Sequence, residues 1–158
     1  SPYAFTKAKN LELLDNLKKW FNFKFEILYF YNVYGPKQIS IGNMATVIGI
    51  FEDLYKKKKP LTVVKPGTQR RDFTHISDII IGCILAWKKG NQNEYMLGTK
   101  KNYSILQIAK MFKTKIKYLP PRPGEIRESL NTDNKARDTL GWVPKGDIID
   151  YIKKSIVS

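Results

Sequence analysis

The sequence predicts an α/β fold. Phe25 to Tyr34 is a nearly continuous apolar run, which is typical of a strand covered on both faces in a parallel sheet. From Asn43 to Tyr55 the apolar residues recur at the 3.6-residue spacing of a one-sided helix. Short strand-like runs and helical patterns go on alternating to the C-terminus. Gly35-Pro36 ends the first strand, and ligands bind at such strand ends in open α/β sheets.

The first half of the chain contains two further predicted helices and two short strands. One helix begins at Ser1-Pro2, since proline is tolerated in a first turn, and its apolar stripe runs to about Trp20. Leu61 to Val64 is a short strand, and a Phe/Ile strand precedes the next helix. That helix, Ile79 to Trp87, is apolar nearly all round, so we expect it to be buried.

The second half has stronger local signals. Ser104-Ile105-Leu106-Gln107 is a capping box that opens a helix. Tyr95 to Gly98 and Ile116 to Leu119 are predicted strands, and Pro120 to Glu125 is an extended loop. A short helix from about Asp133 to Leu140 ends at Gly141, and a last helix carries the apolar residues Ile148, Ile149, Ile152 and Ile156 on one side.

Composition limits the class of protein. The 158 residues, 42% of them hydrophobic, are enough to bury one core. We see no signal-peptide pattern and no long apolar run, and the single cysteine, Cys83, falls in an apolar helix. These features predict a cytoplasmic protein without a membrane segment, whose thiol is buried and inert.

The net charge of +14 and the pI near 9.8 raise the question of a polyanionic partner. The lysines are spread along the whole chain, and the one dense run, Lys56 to Lys59, follows an amphipathic helix whose C-terminal end favours cations. This distribution argues against nucleic acid as the partner. A basic nucleic-acid-binding module stays open as an alternative, and it predicts steep salt dependence.

The stretch from Gly67 to Asp78 suggests a way to hold an anion. A Gly-containing turn delivers the guanidiniums of Arg70 and Arg71, and Ser77 or Asp78 can cap the helix that follows. Arginine binds phosphate oxygens bidentately, so this arrangement suits a diphosphate. The alternative is a solvated basic turn.

Tyr3 and Lys7 are four residues apart on the first helix and therefore share a face. A nearby ammonium stabilises a phenolate, but a tyrosine that works as a base at neutral pH needs about 4 kcal/mol of such stabilisation. A second positive charge, such as an oxidised nicotinamide ring, would help. The alternative is an ordinary surface pair, since Tyr55 and Lys59 have the same spacing with no site in view.

Five motifs together resemble a known family. They are Ser1 to Lys7, Tyr31 to Gln38, Arg71 to Asp78, Arg122 to Glu125 and Leu140 to Pro144. Their order is that of extended short-chain dehydrogenases/reductases of the NAD-dependent epimerase/dehydratase family, and the chain looks like the C-terminal part of a UDP-glucose 4-epimerase-type enzyme. The resemblance implies a partial Rossmann sheet with a small α/β substrate-binding domain. Residues 1–41 would end the NAD-binding part, and residues 42–158 would form the nucleotide-sugar part with short returns to the core.

The resemblance also implies roles for particular residues. Tyr3 would be the catalytic base, with Lys7 as its partner and as a contact of the NAD ribose. Asn32 would contact the nucleotide-sugar, and Asn43 would reach its diphosphate. The diphosphate would be clamped by Arg71 and Arg122. His75 would be a packed or capping residue, Asp78 a helix cap and Trp142 part of the core.

In such epimerases the sugar passes through a 4-keto intermediate and NAD takes up and returns the hydride. The alternatives are a nucleotide-sugar 4,6-dehydratase or decarboxylase of the same superfamily. The 158 residues contain no Gly-rich dinucleotide fingerprint, so we expect the chain alone to be inactive. We expect no metal, and a homodimer is the expected assembly, although self-association through exposed apolar surface is also open.

Overall fold

The structure is a computed structural model and describes residues 2–157, so Ser1 of the first predicted helix lies outside the described residues. The helices and strands follow one another as α1 (Pro2–Phe21), β1 (Ile27–Phe30), β2 (Asn32–Tyr34), α2 (Val47–Lys56), β3 (Leu61–Val64), β4 (Arg70–His75), α3 (Ile76–Lys89), β5 (Glu94–Leu97), β6 (Asn102–Ser104), α4 (Ile105–Met111), β7 (Ile116–Leu119), α5 (Lys135–Leu140) and α6 (Ile148–Val157).

The strands form three small sheets, and most of the pairings are parallel. β1 pairs with β5, β2 with β4 and β3 with β7, all parallel, whereas β6 adds to β4 in the antiparallel sense. Parallel strands need crossover connections, and helices supply them here. The α/β class predicted from the sequence is confirmed.

The predicted strand Phe25 to Tyr34 is divided in two at Tyr31. Its first part, β1, belongs to one sheet with β5, and its second part, β2, belongs to another with β4. The chain therefore passes from one sheet into the next without a turn. This places Asn32 at the start of the second sheet, opposite Phe73 of β4.

Two hydrophobic clusters form the core. The larger one joins α2, α4 and α6 to β3, and the rings of Phe51 and Phe112 meet edge to face at its centre, 5.9 Å apart. The smaller one joins α3 and α5 to β5 and contains Trp142, whose predicted place in the core is confirmed. The indole Nε1 of Trp142 donates a 2.8 Å hydrogen bond to the carbonyl of Asp78, which ties the segment after α5 to α3.

The helix α3 differs from its prediction in two respects. It was expected to be buried, but only one side packs, on β5, at Gly82, where a Cβ would come within 2.5 Å of Leu97. The opposite side exposes Ile80, Ile81, Ile84 and Trp87 to solvent. Because the described chain places nothing on that side, the uniformly apolar sequence does not produce a uniformly buried helix.

The predicted cap of α3 is also wrong. Neither Ser77 nor Asp78 caps the helix; the cap is His75, whose Nδ1 accepts a 3.3 Å hydrogen bond from the Ser77 backbone N–H. This agrees with the expected structural role of His75, which also packs on Tyr34. The buried carboxylate of Asp78 instead accepts a 2.8 Å hydrogen bond from the Gly146 N–H.

Cys83 is only half-buried in α3, which is less than its predicted burial. Burial is nevertheless the main influence on its ionisation, and it raises the pKa of the thiol. A raised pKa keeps a thiol protonated and unreactive.

Candidate active site

An open cleft of about 640 Å³ lies against the start of α1, the strands β2 and β4, and the loop that follows β7. Its polar wall contains Tyr3, Asn32, Arg71 and Arg122, four residues proposed from the sequence. The rest is largely apolar and comes from the first turns of α2 and from β3. The fold thus gathers residues that are up to 119 positions apart in the chain.

Arg71 is held firmly in the wall of this cleft. Its Nη1 donates a 2.8 Å hydrogen bond to the carbonyl of Arg70, its Nη2 lies 3.5 Å from Oε1 of Glu125, and its side chain is only 13% exposed. A guanidinium fixed in this way has lost most of its rotamer freedom before any ligand arrives. Little conformational entropy therefore remains to be lost when an anion binds.

Arg70 does not belong to the cleft, and this corrects the expectation of two guanidiniums at one anion site. Its Nε donates a 2.7 Å hydrogen bond to Oδ1 of Asn102, and its Nη2 donates to the Asn102 carbonyl at 2.8 Å. Successive residues of a strand point to opposite faces, so adjacent arginines in β4 cannot share one site. Arg70 fastens β4 to β6 instead.

The loop that carries Arg122 is anchored to the strand that carries Arg71. The Arg70 N–H donates to the carbonyl of Arg127 at 2.8 Å, and Arg70 also accepts from the Ser129 N–H at 3.0 Å. Ser129 in turn donates from its hydroxyl to Oδ1 of Asn32 at 3.5 Å. These contacts bring the two arginines of the predicted clamp to the same cleft from separate segments.

Tyr3 and Lys7 are in contact, as their spacing predicts. The Lys7 Nζ lies 5.8 Å from the centre of the Tyr3 ring, which is within the range of a cation–π contact. Tyr3 lines the cleft, whereas Lys7 lies beside it on the exposed face of α1. The pair therefore lies at the edge of the cleft, and only the Tyr3 side of the pair lines the cleft.

The structure does not bring Asn43 to the cleft wall. Residues 42–45 form a turn before α2, and the predicted helix start at Asn43 is four residues too early. The helix begins at Val47 because Thr46 caps it, accepting a 3.0 Å hydrogen bond from the Gly49 N–H. Asn43 is exposed in this turn, and its neighbours Met44 and Ala45 line the cleft in its place.

Two cleft residues had no role in the sequence-based prediction. Glu125 forms the ion pair with Arg71. The sequence feature that could have revealed it is its position three residues after Arg122. Gln69 is 7% exposed, donates from Nε2 to the Val64 carbonyl at 3.2 Å, and has no partner for its buried Oε1 among residues 2–157. The sequence feature that could have revealed Gln69 is its two-residue spacing from Arg71, which places both side chains on one side of an extended segment.

Within the described part of the chain, no group of three or more His, Cys, Asp or Glu side chains is arranged to hold a metal ion. None of the helices between residues 2 and 157 combines the length and the apolar character needed to span a bilayer.

The chain is an α/β protein in which a phenol, an amide and two arginines line one cleft, and similarity to known proteins identifies its family. Residues 1–98 match the model of the NAD dependent epimerase/dehydratase family. The UDP-glucuronate 4-epimerase of Thermodesulfobacterium geofontis is 31% identical, with 99% of this chain and 49% of that protein covered. The chain belongs to the NAD dependent epimerase/dehydratase family.

Solved structures agree with this assignment. The UDP-glucose 4-epimerase of Thermotoga maritima, crystallised with UDP-glucose, has a TM-score of 0.92 at 28% identity, over 99% of this chain and 52% of that one. The UDP-glucuronic acid 4-epimerase of Bacillus cereus, in complex with UDP-glucuronic acid and NAD, has a TM-score of 0.88 at 28% identity, with 99% and 52% covered. The chain spans about half the length of the relatives that it matches.

Proposed function

We propose that this chain is the substrate-binding side of an NAD-dependent nucleotide-sugar 4-epimerase of the UDP-glucose 4-epimerase type. The observation that carries the proposal is that Tyr3, Asn32, Arg71 and Arg122 line one cleft. Similarity to 4-epimerases that were solved with UDP-sugars bound supports the substrate class. Residues 1–41 would end the NAD-binding part, and residues 42–158 would form the part that holds the nucleotide-sugar.

In this proposal Arg71 and Arg122 hold the diphosphate from two sides. Two guanidiniums on separate segments can each form charge-assisted hydrogen bonds to phosphate oxygens. The carboxylate of Glu125 lies 3.5 Å from Nη2 of Arg71, which is too long for a strong ion pair. A diphosphate can therefore compete for the Arg71 guanidinium.

Tyr3 would act as the base at the sugar, and Lys7 would lower the free energy of its phenolate. The ammonium already lies over the Tyr3 ring, at 5.8 Å from its centre. Bound NAD would supply the positive charge that lysine alone does not, and would take up and return the hydride. Asn32, beside the arginines, would orient the sugar-nucleotide. The role proposed for Asn43 would require the turn at residues 42–45 to approach the ligand.

The test of this proposal is a calorimetric titration of the chain with UDP, and with dTDP and GDP for comparison. We expect saturable binding of UDP, weakened about tenfold or more by Arg71→Ala and by Arg122→Ala, because each removes a charged partner of the diphosphate. The matched control is Arg127→Ala, which removes an exposed arginine of the same segment that lies outside the cleft. An equal loss in all three variants would contradict the clamp.

The chain alone should not interconvert UDP-glucose and UDP-galactose. Catalysis in this family depends on NAD, and residues 1–158 contain no Gly-rich dinucleotide fingerprint. Coupled detection of UDP-galactose, with Tyr3→Phe as the blank, measures this directly. Turnover by the chain that is abolished in Tyr3→Phe would overturn the expectation.

A dehydratase or decarboxylase of the same superfamily is the alternative, and the family name itself includes dehydratases. Product analysis separates these from an epimerase, because only an epimerase leaves the composition of the sugar unchanged. Binding that falls steeply with salt and shows no preference among nucleotides would favour the nucleic-acid alternative instead.

A further inference from the structure

A second cavity, of about 280 Å³, lies beside the cleft and shares only Phe73 with it among the described residues. We call it the Trp142 cavity. The apolar part of its wall includes Phe73, Met96, Ala136, Trp142 and Ile148, with Val143 and Pro144 at its edge. Of the first five, all but Met96 are 3% exposed, so these side chains are fixed by the core and cannot collapse into the space.

Basic side chains surround the mouth of the Trp142 cavity. They are Lys100, Lys101, Arg137 and Lys145. Lys100 donates from Nζ to Oδ1 of Asn134, but the side chains of the other three have neither a hydrogen bond nor an ion pair within residues 2–157. The cations come from three separate segments and converge only in the folded chain.

The carboxylates at this cavity do not neutralise these cations. Asp147 caps α6, accepting from the Ile149 N–H at 2.7 Å and the Asp150 N–H at 3.2 Å through Oδ1. Asp133 accepts a 2.6 Å hydrogen bond from the Lys135 N–H. The wall carries four cations and two carboxylates, and the two further carboxylates behind it, Asp72 and Asp78, are buried, so the excess of positive charge is confined to the exposed mouth.

The loops that carry these groups are held by buried carboxylates. Asp72, which has no exposed surface, accepts from the backbone N–H groups of Thr99, Lys100 and Asn131 at 2.8, 3.0 and 3.2 Å. On the other side Asp78 holds Gly146, next to Lys145. The position of the mouth is therefore set by the core, and a ligand would not have to order it.

We propose that the Trp142 cavity binds a small organic anion, a compact ring or short apolar group that carries a phosphate or a carboxylate. The volume is at the low end of the range for ligand sites, which suits about a dozen heavy atoms and excludes a nucleotide-sugar. The apolar body would rest on Trp142 and Ile148, and the anionic group would lie between Arg137, Lys101 and Lys145. The site is separate from the proposed substrate cleft.

The test uses the indole N–H of Trp142 as a reporter. The chain has three tryptophans. Trp20 and Trp87 are 66% and 80% exposed, whereas Trp142 is buried. Substitutions Trp20→Phe and Trp87→Phe assign the three indole signals in a nitrogen-15 correlation spectrum. Titration with phenyl phosphate should shift the Trp142 signal saturably and leave the other two in place.

Charge variants decide whether the anion is what binds. The triple variant Lys101→Gln, Arg137→Gln, Lys145→Gln should weaken the binding of phenyl phosphate about tenfold or more. The matched control Lys56→Gln, Lys110→Gln, Lys117→Gln removes the same charge from exposed positions outside both cavities and should bind like the parent chain. Before ligand is added, an unchanged position of the buried Trp142 signal, whose N–H is hydrogen-bonded to the Asp78 carbonyl, reports that each variant is folded as the parent is.

Three further arms separate the sources of a signal. Benzoate in place of phenyl phosphate shows whether a carboxylate is sufficient. Benzyl alcohol should shift Trp142 weakly, and an equal shift would overturn the anion site. Arg71→Ala should leave the shift of the Trp142 signal by phenyl phosphate unchanged. If this variant loses the shift, phenyl phosphate binds in the cleft instead. A Trp142 signal that does not respond at millimolar phenyl phosphate would also overturn the proposal.

Discussion

Tyr34 is a buried phenol whose hydroxyl has no hydrogen-bond partner among residues 2–157. Its ring packs edge to face on His75 and Tyr151, with centres 5.2 and 5.1 Å away. Burial, and after it the charges of Asp147 and Asp78, raises the pKa of Tyr34 far above its ordinary value. The same cause, with Glu52 as a further contributor, raises the pKa of Tyr151 to about 12. The fold thus requires both phenols to stay protonated.

These shifts predict a loss of stability at high pH. The unfolded chain ionises its tyrosines near pH 10, whereas the folded chain holds these two protons more tightly, so the free energy of unfolding should fall as the pH rises above about 10. For Tyr34→Phe we expect a fall that is shallower by up to about 1.4 kcal/mol per pH unit in that range. Near pH 7 the variant should match the parent within about 1 kcal/mol, since the lost hydroxyl had no partner.

Urea unfolding at pH 7 and between pH 9.5 and 11.5 measures both effects. The matched control is Tyr118→Phe, which changes a 45% exposed phenol on β7. If the free energy of unfolding falls with pH equally steeply in the parent chain and in Tyr34→Phe above pH 10, the phenol of Tyr34 is not held protonated by the fold.

At the same scale, the cleft residues show what a sequence can reveal. Arg71 and Arg122 were predicted from motifs, and the structure places both on the cleft. Asp72 had no predicted role, because its partners Thr99 and Asn131 lie 27 and 59 residues further along the chain. A contact over such separations leaves no local pattern. Asn43 lies off the cleft wall for a local reason, since Thr46 caps α2 and so leaves Asn43 in the turn before the helix.

At the scale of whole elements, local chemistry decides which predictions succeed. The capping box at α4 is confirmed: the Gln107 N–H donates to the Ser104 Oγ at 3.1 Å, and the Ser104 N–H donates to Oε1 of Gln107 at 2.8 Å. All of its partners lie within four residues. The strand β6, next to it, was not predicted, because Asn102 to Ser104 become a strand only by pairing with β4.

Ser104→Ala should destabilise the chain by about 1 kcal/mol, because the helix loses the acceptor at its N-terminus. Ser104→Thr keeps a hydroxyl at the cap and is expected to retain most of the stability. Thermal or urea unfolding followed by circular dichroism compares the two variants with the parent. If threonine is as damaging as alanine, packing at this buried position matters more than the cap.

At the scale of the molecule, a strongly basic surface is combined with exposed apolar faces. The chain carries a net charge of +14, while α3 exposes Ile80, Ile81, Ile84 and Trp87, and α1 has no buried residue at all. The apolar sequence of α3 could not reveal this, because burial of a helix depends on what packs against it. Charge repulsion and apolar attraction therefore act in opposite directions on any contact between two copies.

We expect the chain to self-associate, and to do so more strongly as salt is added. Salt screens the repulsion between basic surfaces and leaves apolar contact intact. The double variant Ile80→Lys, Ile84→Lys should shift the population toward monomer, whereas Lys88→Gln, on the same helix, should not. Light scattering over a range of concentrations at low and moderate salt measures this. A monomer under all of these conditions would contradict the expectation.

The pairing of distant strands has a consequence for how the chain acquires its structure. Within residues 2–157, β1 at Ile27 pairs only with β5 at Glu94, and β3 at Leu61 only with β7 at Ile116. Large loops must close before either pair forms, and such topologies fold slowly. On a ribosome that adds about 5–20 residues per second, β1 would wait several seconds for its partner to be made. During that interval its apolar run is open to chaperones, so yield in a cell should depend on how fast this stretch is translated.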